Sequence, residues 1–134
     1  MIDIESEVFS RVKAAVTKEV PDINMVSESA NIVKKFPCIF LYESDNYANE
    51  ATATTSDSEN HAELMYTVEV YSNKSGLKKS ECKKIMAIID REFANMGFTR
   101  ITMQPIPNQP DGALYRIVAR YRAVVSKDKT IYRR

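Results

Sequence analysis

Residues 61–122 decide the fold, and they read HAELMYTVEVYSNKSGLKKSECKKIMAIIDREFANMGFTRITMQPIPNQPDGALYRIVARYR. Within residues 77–96 the apolar side chains recur at spacings of three and four, which predicts an amphipathic helix of about five turns. Its apolar stripe consists of Cys82, Ile85, Met86, Ile89, Phe93 and Met96. Gly97 follows at once and suits the left-handed position that commonly ends a helix.

Three strand-like runs flank this helix. Residues 61–72 and 114–126 alternate apolar and polar positions, which predicts two long strands that are buried on one face. Residues 98–103 form a shorter run, and the proline-rich segment 104–112 predicts a rigid turn after it. The whole stretch is therefore predicted to fold as strand, helix, strand, strand.

The N-terminal part of the chain predicts a second helix and two more strands. Residues 3–18 place their apolar side chains on one helical face, and Pro21 marks the end of that helix. Residues 23–28 predict a short strand, and residues 35–43 predict a longer one. Because the longer run is almost continuously apolar, we expect both of its faces to be covered, within the chain or by a second subunit.

Residues 44–60 form the segment with the fewest core-forming side chains. They contain no Val, Ile, Leu or Phe, and Ser, Thr, Asn, Ala and acidic residues dominate. The segment predicts a long exposed loop that links two neighbouring strands as an extended hairpin arm. In an enzyme such an arm could be a lid, and in an assembly protein it could be a contact arm; both roles stay open.

Length and composition fit one soluble domain over residues 1–134. The 44% hydrophobic and 28% charged content is ordinary for a globular protein. No apolar run approaches the roughly 18 residues that span a bilayer, and the acidic N-terminus is unlike a signal peptide. We predict synthesis in the cytoplasm, no contact with a membrane, and an α+β fold: a mainly antiparallel sheet packed by two α-helices.

Charge is divided unevenly along the chain. Residues 1–63 carry 12 acidic and 5 basic side chains, a balance of −7, and residues 64–134 carry 6 acidic and 14 basic ones, a balance of +8. Such a division suits head-to-tail packing of identical subunits or a ring whose faces differ in sign. A chance distribution of charge is the alternative interpretation.

Patterns of catalytic or ligand-binding chemistry are missing from the sequence. The three glycines do not fall at phosphate-loop spacings, and no His, Cys, Asp or Glu cluster has metal-site spacing. Cys38 and Cys82 are interpreted as small buried thiols, and the single histidine, His61, as a surface or hydrogen-bonding residue. We predict that the protein is not an enzyme and has no cofactor and no metal.

Three arginines stand at alternate positions of the last long strand. Arg116, Arg120 and Arg122 share one face of residues 114–126. This basic stripe could contact phosphate, could meet the acidic part of another copy, or could face solvent and pair with Glu63 and Glu69 across the sheet. The basic tail, residues 127–134, is predicted to be mobile or docked on a partner.

The order of elements resembles the tail-terminator or tail-completion (head–tail joining) proteins of long-tailed bacteriophages and phage-tail-like particles. The likeness spans nearly the whole chain and lies in diffuse features: a short N-terminal helix, a strand with a variable loop, a helix ending in Gly-Phe, and a closing strand with alternating basic residues. The stretches that carry it are MIDIESEVFSRVKAAV, PCIFLYE, YTVEVYSN, KIMAIIDREFANMGF and YRIVARYRAVV.

The resemblance implies a virion structural protein that works by geometry. Such proteins form hexameric rings that cap the tail tube, stop its growth and join it to the neck or head side. The implied partners are further copies, the tail tube protein and sheath or neck proteins, with DNA passing through the lumen, first in the bacterial host cytoplasm and then in the particle. The implied subunit or tube contacts are Tyr47, Glu50, Asp57, Glu59, Arg116, Arg120, Arg122, Arg133 and Arg134.

Two other classes of function are compatible with the sequence. A small ferredoxin-like ligand-binding or regulatory dimer would need a mostly apolar pocket between sheet and helices. A nucleic-acid-binding module would use the arginine stripe and the basic tail. The stripe lacks the aromatic platform usual at such sites, because Tyr115 and Tyr121 alternate with the arginines and point to the other face.

Overall fold

The computed structural model describes residues 1–28, 35–48, 61–106 and 114–132. These residues form two helices and six strands, which confirms the predicted α+β class. The elements, in chain order, are α1 (Glu5–Glu19), β1 (Asn24–Val26), β2 (Cys38–Ala48), β3 (His61–Ser72), α2 (Lys78–Met96), β4 (Thr99–Pro105), β5 (Tyr115–Ser126) and β6 (Ile131–Tyr132). None of the described helices has the length and apolar character needed to cross a membrane.

The strands form one mainly antiparallel sheet in the order β1-β2-β3-β5-β4. Among the described strands, only β1 pairs in parallel, with β2. Because β5 is antiparallel to both β3 and β4, those two strands run the same way, and β3–α2–β4 is a split β-α-β unit with β5 inserted. The short β6 pairs with the end of β5, in line with β4.

Both helices pack on one face of this sheet. Val8, Val12 and Val16 of α1 are buried there, together with the apolar stripe of α2. The strands supply alternate residues to the same core, as their period of two requires. These strand residues are Ile39 and Leu41; Ala62, Leu64, Tyr66, Val68 and Val70; and Ile117, Ala119, Tyr121, Ala123 and Val125.

The central helix ends where the sequence predicts. Gly97 adopts a left-handed backbone with φ of 101°, and its amide bonds back to the carbonyl of Ala94. The next amide, that of Phe98, bonds to the carbonyl of Phe93, so two terminal carbonyls of α2 are satisfied. A Cβ at position 97 would lie 3.2 Å from Ile131 of β6, so the site favours glycine on space as well as on conformation.

Two expectations about connecting segments are wrong for the residues that the structure describes. Residues 44–48, expected in a loop, continue β2 to Ala48, because the long strand β3 offers backbone partners along its whole length. A bulge between Glu43 and Asp45 shifts the register there. The remainder of the expected arm, residues 49–60, lies outside the described residues.

The tail was expected to be mobile or docked on a partner, and its described part instead packs on its own chain. Residues Ile131–Tyr132 form β6, and the Lys129 Nζ lies 2.8 Å from the Glu7 carboxylate of α1. A strand of two residues is too short to show an alternating pattern, so the pairing of β6 with the edge of β5 could not be predicted from the sequence. Residues 133 and 134 lie outside the described range.

Candidate interaction surface

The sheet face opposite the helices is the surface that the arginine stripe occupies, and we call it the open face. Strand register aligns its side chains in rows across β2, β3 and β5. One row holds Cys38, Tyr71 and Arg116, the next Phe40, Glu69 and Val118, the third Tyr42, Thr67 and Arg120, and the fourth Asp45, Met65 and Arg122.

Glu69 is the centre of a hydrogen-bonded cluster on the open face. Its carboxylate accepts from the Tyr42 hydroxyl at 3.2 Å and from the Tyr71 hydroxyl at 2.9 Å. The Arg116 guanidinium also donates to it and lies 5.4 Å from the centre of the Tyr71 ring. Burial, then the hydrogen bond to Glu69, raises the pKa of Tyr71 to about 12, so this hydroxyl stays a proton donor at neutral pH.

Arg116 is therefore held within its own chain. Of the three roles considered for the arginine stripe, pairing with Glu69 across the sheet is confirmed for this residue. Its side chain is 30% exposed, and that of Glu69 is 12% exposed. Such a partly desolvated pair is better placed to order the surface than to capture a partner.

A small apolar patch lies beside this cluster and apart from the main core. Phe40 and Val118 are buried on the open face, and the Phe40 ring meets the Tyr42 ring edge-on at 6.1 Å. Cys38 is buried next to them, and burial raises the pKa of its thiol. The interpretation of Cys38 and Cys82 as buried free thiols is confirmed, and both faces of the first half of β2 are covered as expected.

The structure places Tyr47 and Arg122 in adjacent rows near the hairpin end of the open face, with Arg120 one row further along β5. Arg120 is exposed, and neither it nor Arg122 forms an ion pair with another described residue. Tyr47 is 45% exposed, and its hydrogen bond to the Glu63 carboxylate is the main cause of its raised pKa. The other predicted contact residues, Glu50, Asp57, Glu59, Arg133 and Arg134, lie outside the described residues.

Sequence reasoning missed one feature, a groove between α2 and β4. The groove has a volume of about 510 Å³ and a mostly apolar floor. No signal in the sequence could have located it, because it depends on how α2 lies across the edge of the sheet. The side chains that line it are Lys79, Lys83, Met86, Ala87, Asp90, Arg100, Met103, Gln104, Pro105, Tyr115 and Ile117.

Glu43 lies in the middle of β2, beside the bulge and close to the start of α1. Its amide donates to the Glu5 carboxylate at 2.8 Å, and its own carboxylate accepts from Tyr66 at 3.4 Å and Asn46 at 3.3 Å. Burial raises the pKa of Glu43, and the neighbouring charges of Asp3 and Glu5 raise it further. Ionised Glu43 therefore costs the folded state stability.

We expect Glu43→Gln to stabilise the protein at pH 7, because the amide keeps an acceptor for Tyr66 and removes the charge. A raised carboxyl pKa makes the folded state bind the proton more tightly, so the penalty grows as pH rises from the unfolded pKa through the folded pKa. The gain in Tm should therefore shrink towards zero below about pH 4, near the ordinary glutamate pKa. Thermal melts of both proteins from pH 3.5 to 7.5 would measure it, and a gain that persists at acid pH would contradict this cause.

Comparison with family models and with curated proteins gives this chain no relative from which a role could be transferred. No protein-family model matches the sequence, and no curated protein matches it. Among the described residues, no group of three or more His, Cys, Asp or Glu side chains could hold a metal ion.

Proposed function

We propose that this protein is a structural component of a phage or phage-tail-like particle. In this role it forms a ring that caps the tail tube, stops its growth and joins the tube to the neck or head side. The ring is a homo-oligomer, expected to be hexameric, and it contacts the tail tube protein and sheath or neck proteins. The resemblance in element order supplies the particular role, and the fold agrees with the α+β architecture that the resemblance implies.

The composition of the open face is the observation that carries the proposal. Tyr, Arg and Met are enriched in protein–protein interfaces, and the described part of this face holds three tyrosines, three arginines and one methionine. Tyr42, Tyr71 and Arg116 are also preorganised by their bonds to Glu69, which lowers the entropic cost of a contact. The residues concerned are Tyr42, Tyr47, Met65, Tyr71, Arg116, Arg120 and Arg122.

Solution mass tests the proposal directly. Light scattering over a concentration series, with negative-stain imaging of any large species, should reveal closed rings of about six subunits. Adding purified tail tubes should increase the fraction of this protein that is assembled in rings, and the tubes should stop growing. A protein that stays monomeric with and without tubes would refute the proposal.

We expect Arg120→Glu to lower ring formation at least tenfold while changing stability by less than about 1 kcal/mol, because Arg120 is exposed and forms no described ion pair. The matched control is Lys13→Glu, which makes the same change of charge at an exposed position of α1. Sedimentation and urea unfolding of both variants would separate assembly from stability. Equal ring formation by Arg120→Glu and the control would place Arg120 outside the interface.

A ligand-binding dimer is the second candidate, and the α2–β4 groove is the observation that favours it. Its volume lies within the range of small-molecule sites, and Met86, Met103 and Ile117 give it an apolar floor. A tight dimer at every concentration, together with a thermal shift from an apolar anionic compound, would support this function over ring formation.

A further inference from the structure

The α2–β4 groove combines an apolar floor with a basic rim. Lys79, Lys83 and Arg100 stand at the rim, and Asp90 is the one acidic residue among the described residues of the lining. Asp90 is already engaged, because it lies 3.4 Å from the Arg100 guanidinium and accepts from the Tyr121 hydroxyl at 2.9 Å. Neither Lys79 nor Lys83 forms an ion pair within the described parts of the chain.

The hairpin end of the sheet, which we define as residues 43–63, has the opposite charge. It contains six acidic residues and no Lys or Arg. The described part presents exposed Asp45 and the exposed ring of Tyr47. An acidic segment with an exposed tyrosine ring is complementary to an apolar floor bordered by lysines.

Within one subunit, strand register places the hairpin end far from the Tyr115 end of the groove. His61, at the hairpin end of β3, pairs with Ser126, whereas Ser72, at the other end, pairs with Tyr115 of the groove. Eleven steps along β3 separate them by about 36 Å. The twelve residues 49–60, anchored at both ends, reach at most about 20 Å from the hairpin end. The hairpin end therefore cannot fill the Tyr115 end of its own groove.

We propose that the α2–β4 groove binds the acidic hairpin end of a second copy of this chain. The contact joins two different surfaces, so it is heterologous, and its repetition closes a ring when the rotation between copies permits. It also explains the division of charge, since the acidic part of one copy meets the basic part of the next. The inference rests on the proposed function and adds a second contact between neighbouring copies to the one proposed for the open face.

Disulfide trapping between two singly substituted chains tests the contact. One chain carries Ala53→Cys in the hairpin and a size tag, and the other carries Ala87→Cys, at an exposed position that lines the groove. Any mixed disulfide between them is intermolecular by construction, and the native Cys38 and Cys82 are buried. The matched control pairs the same hairpin chain with Ala14→Cys, at an exposed position on α1.

We expect the Ala53→Cys chain to cross-link to the Ala87→Cys chain at least tenfold faster than it does to the Ala14→Cys control chain. Lys79→Glu with Lys83→Glu should abolish the cross-link, and adding Glu50→Lys with Glu59→Lys to the hairpin chain should restore it. No preference over the control would overturn the groove contact, and intact rings would then leave the proposed function standing. A specific cross-link in open filaments or dimers would support the contact and refute the ring.

Discussion

Replacing Phe93 by alanine is expected to lower the free energy of unfolding by about 3–5 kcal/mol, the usual cost of deleting a buried aromatic ring. Phe93 is fully buried on α2. Its ring stacks on Tyr121 of β5 with centroids 4.2 Å apart and meets Phe98 edge-on at 5.1 Å. It also lies 6.3 Å from the ring of Tyr66 on β3. Removal leaves a cavity where the helix contacts two central strands.

Urea unfolding followed by circular dichroism would measure this loss. Phe93→Leu keeps most of the apolar volume and should lose clearly less stability than Phe93→Ala. It therefore tests the prediction even when the alanine variant does not fold. Ile101→Ala is the matched control, because Ile101 is a large apolar residue that is 50% exposed, and it should cost under about 1 kcal/mol. A loss from Phe93→Ala no larger than that from Ile101→Ala would show that α2 is not fixed through this ring.

The elements with one buried face could be predicted from the sequence almost to the residue. Strand β3 has the predicted bounds, and α2 and β5 each begin one residue later than predicted. In these elements the apolar residues of the repeating pattern are the residues that face the core, so the pattern alone indicates both the kind of element and its bounds. Gly97 then fixes the end of α2, because few other residues tolerate its backbone conformation.

The second half of β2 could not be predicted, because backbone pairing rather than side-chain burial extends it. Its residues are mostly exposed and polar, yet they pair with Met65, Leu64, Glu63 and Ala62 of β3. The order of the sheet was equally hidden, since nothing local indicates that β5 inserts between β3 and β4. The groove between α2 and β4 follows from that order and so was missed with it.

The open face was partly predictable. Alternation placed the three arginines on one face, and the pairing of Arg116 with Glu69 was one of the alternatives considered. The tyrosines that complete the cluster come from β2 and β3, and only the register between these strands brings Tyr42 and Tyr71 to the same carboxylate. Register across a sheet is a tertiary property, so the sequence could identify the face and not the cluster.

Glu69→Ala should cost about 2–3 kcal/mol, because it removes the common acceptor of Tyr42, Tyr71 and Arg116. Breaking a fully buried pair costs about 3–5 kcal/mol, and the expected loss is lower because the Arg116 side chain is 30% exposed. The matched control is Glu92→Ala, which breaks the 2.7 Å pair with Arg11 on the helical side, where the arginine is 54% exposed. That pair should contribute under about 1 kcal/mol.

A double-mutant cycle with Arg116→Met separates loss of the pair from loss of the whole cluster. If the cost of Glu69→Ala comes mainly from leaving the Arg116 guanidinium unpaired, the double variant should recover much of the lost stability, since apolar groups then replace both members of the pair. If it comes from Tyr42 and Tyr71, the recovery should be small.

Ring assembly measured on the same variants shows whether the Glu69 cluster serves stability alone or also assembly. If Glu69 preorganises the open face for a contact, the double variant should remain defective in ring assembly even where it regains stability. Equal costs for Glu69→Ala and Glu92→Ala would show that Glu69 does not organise this face.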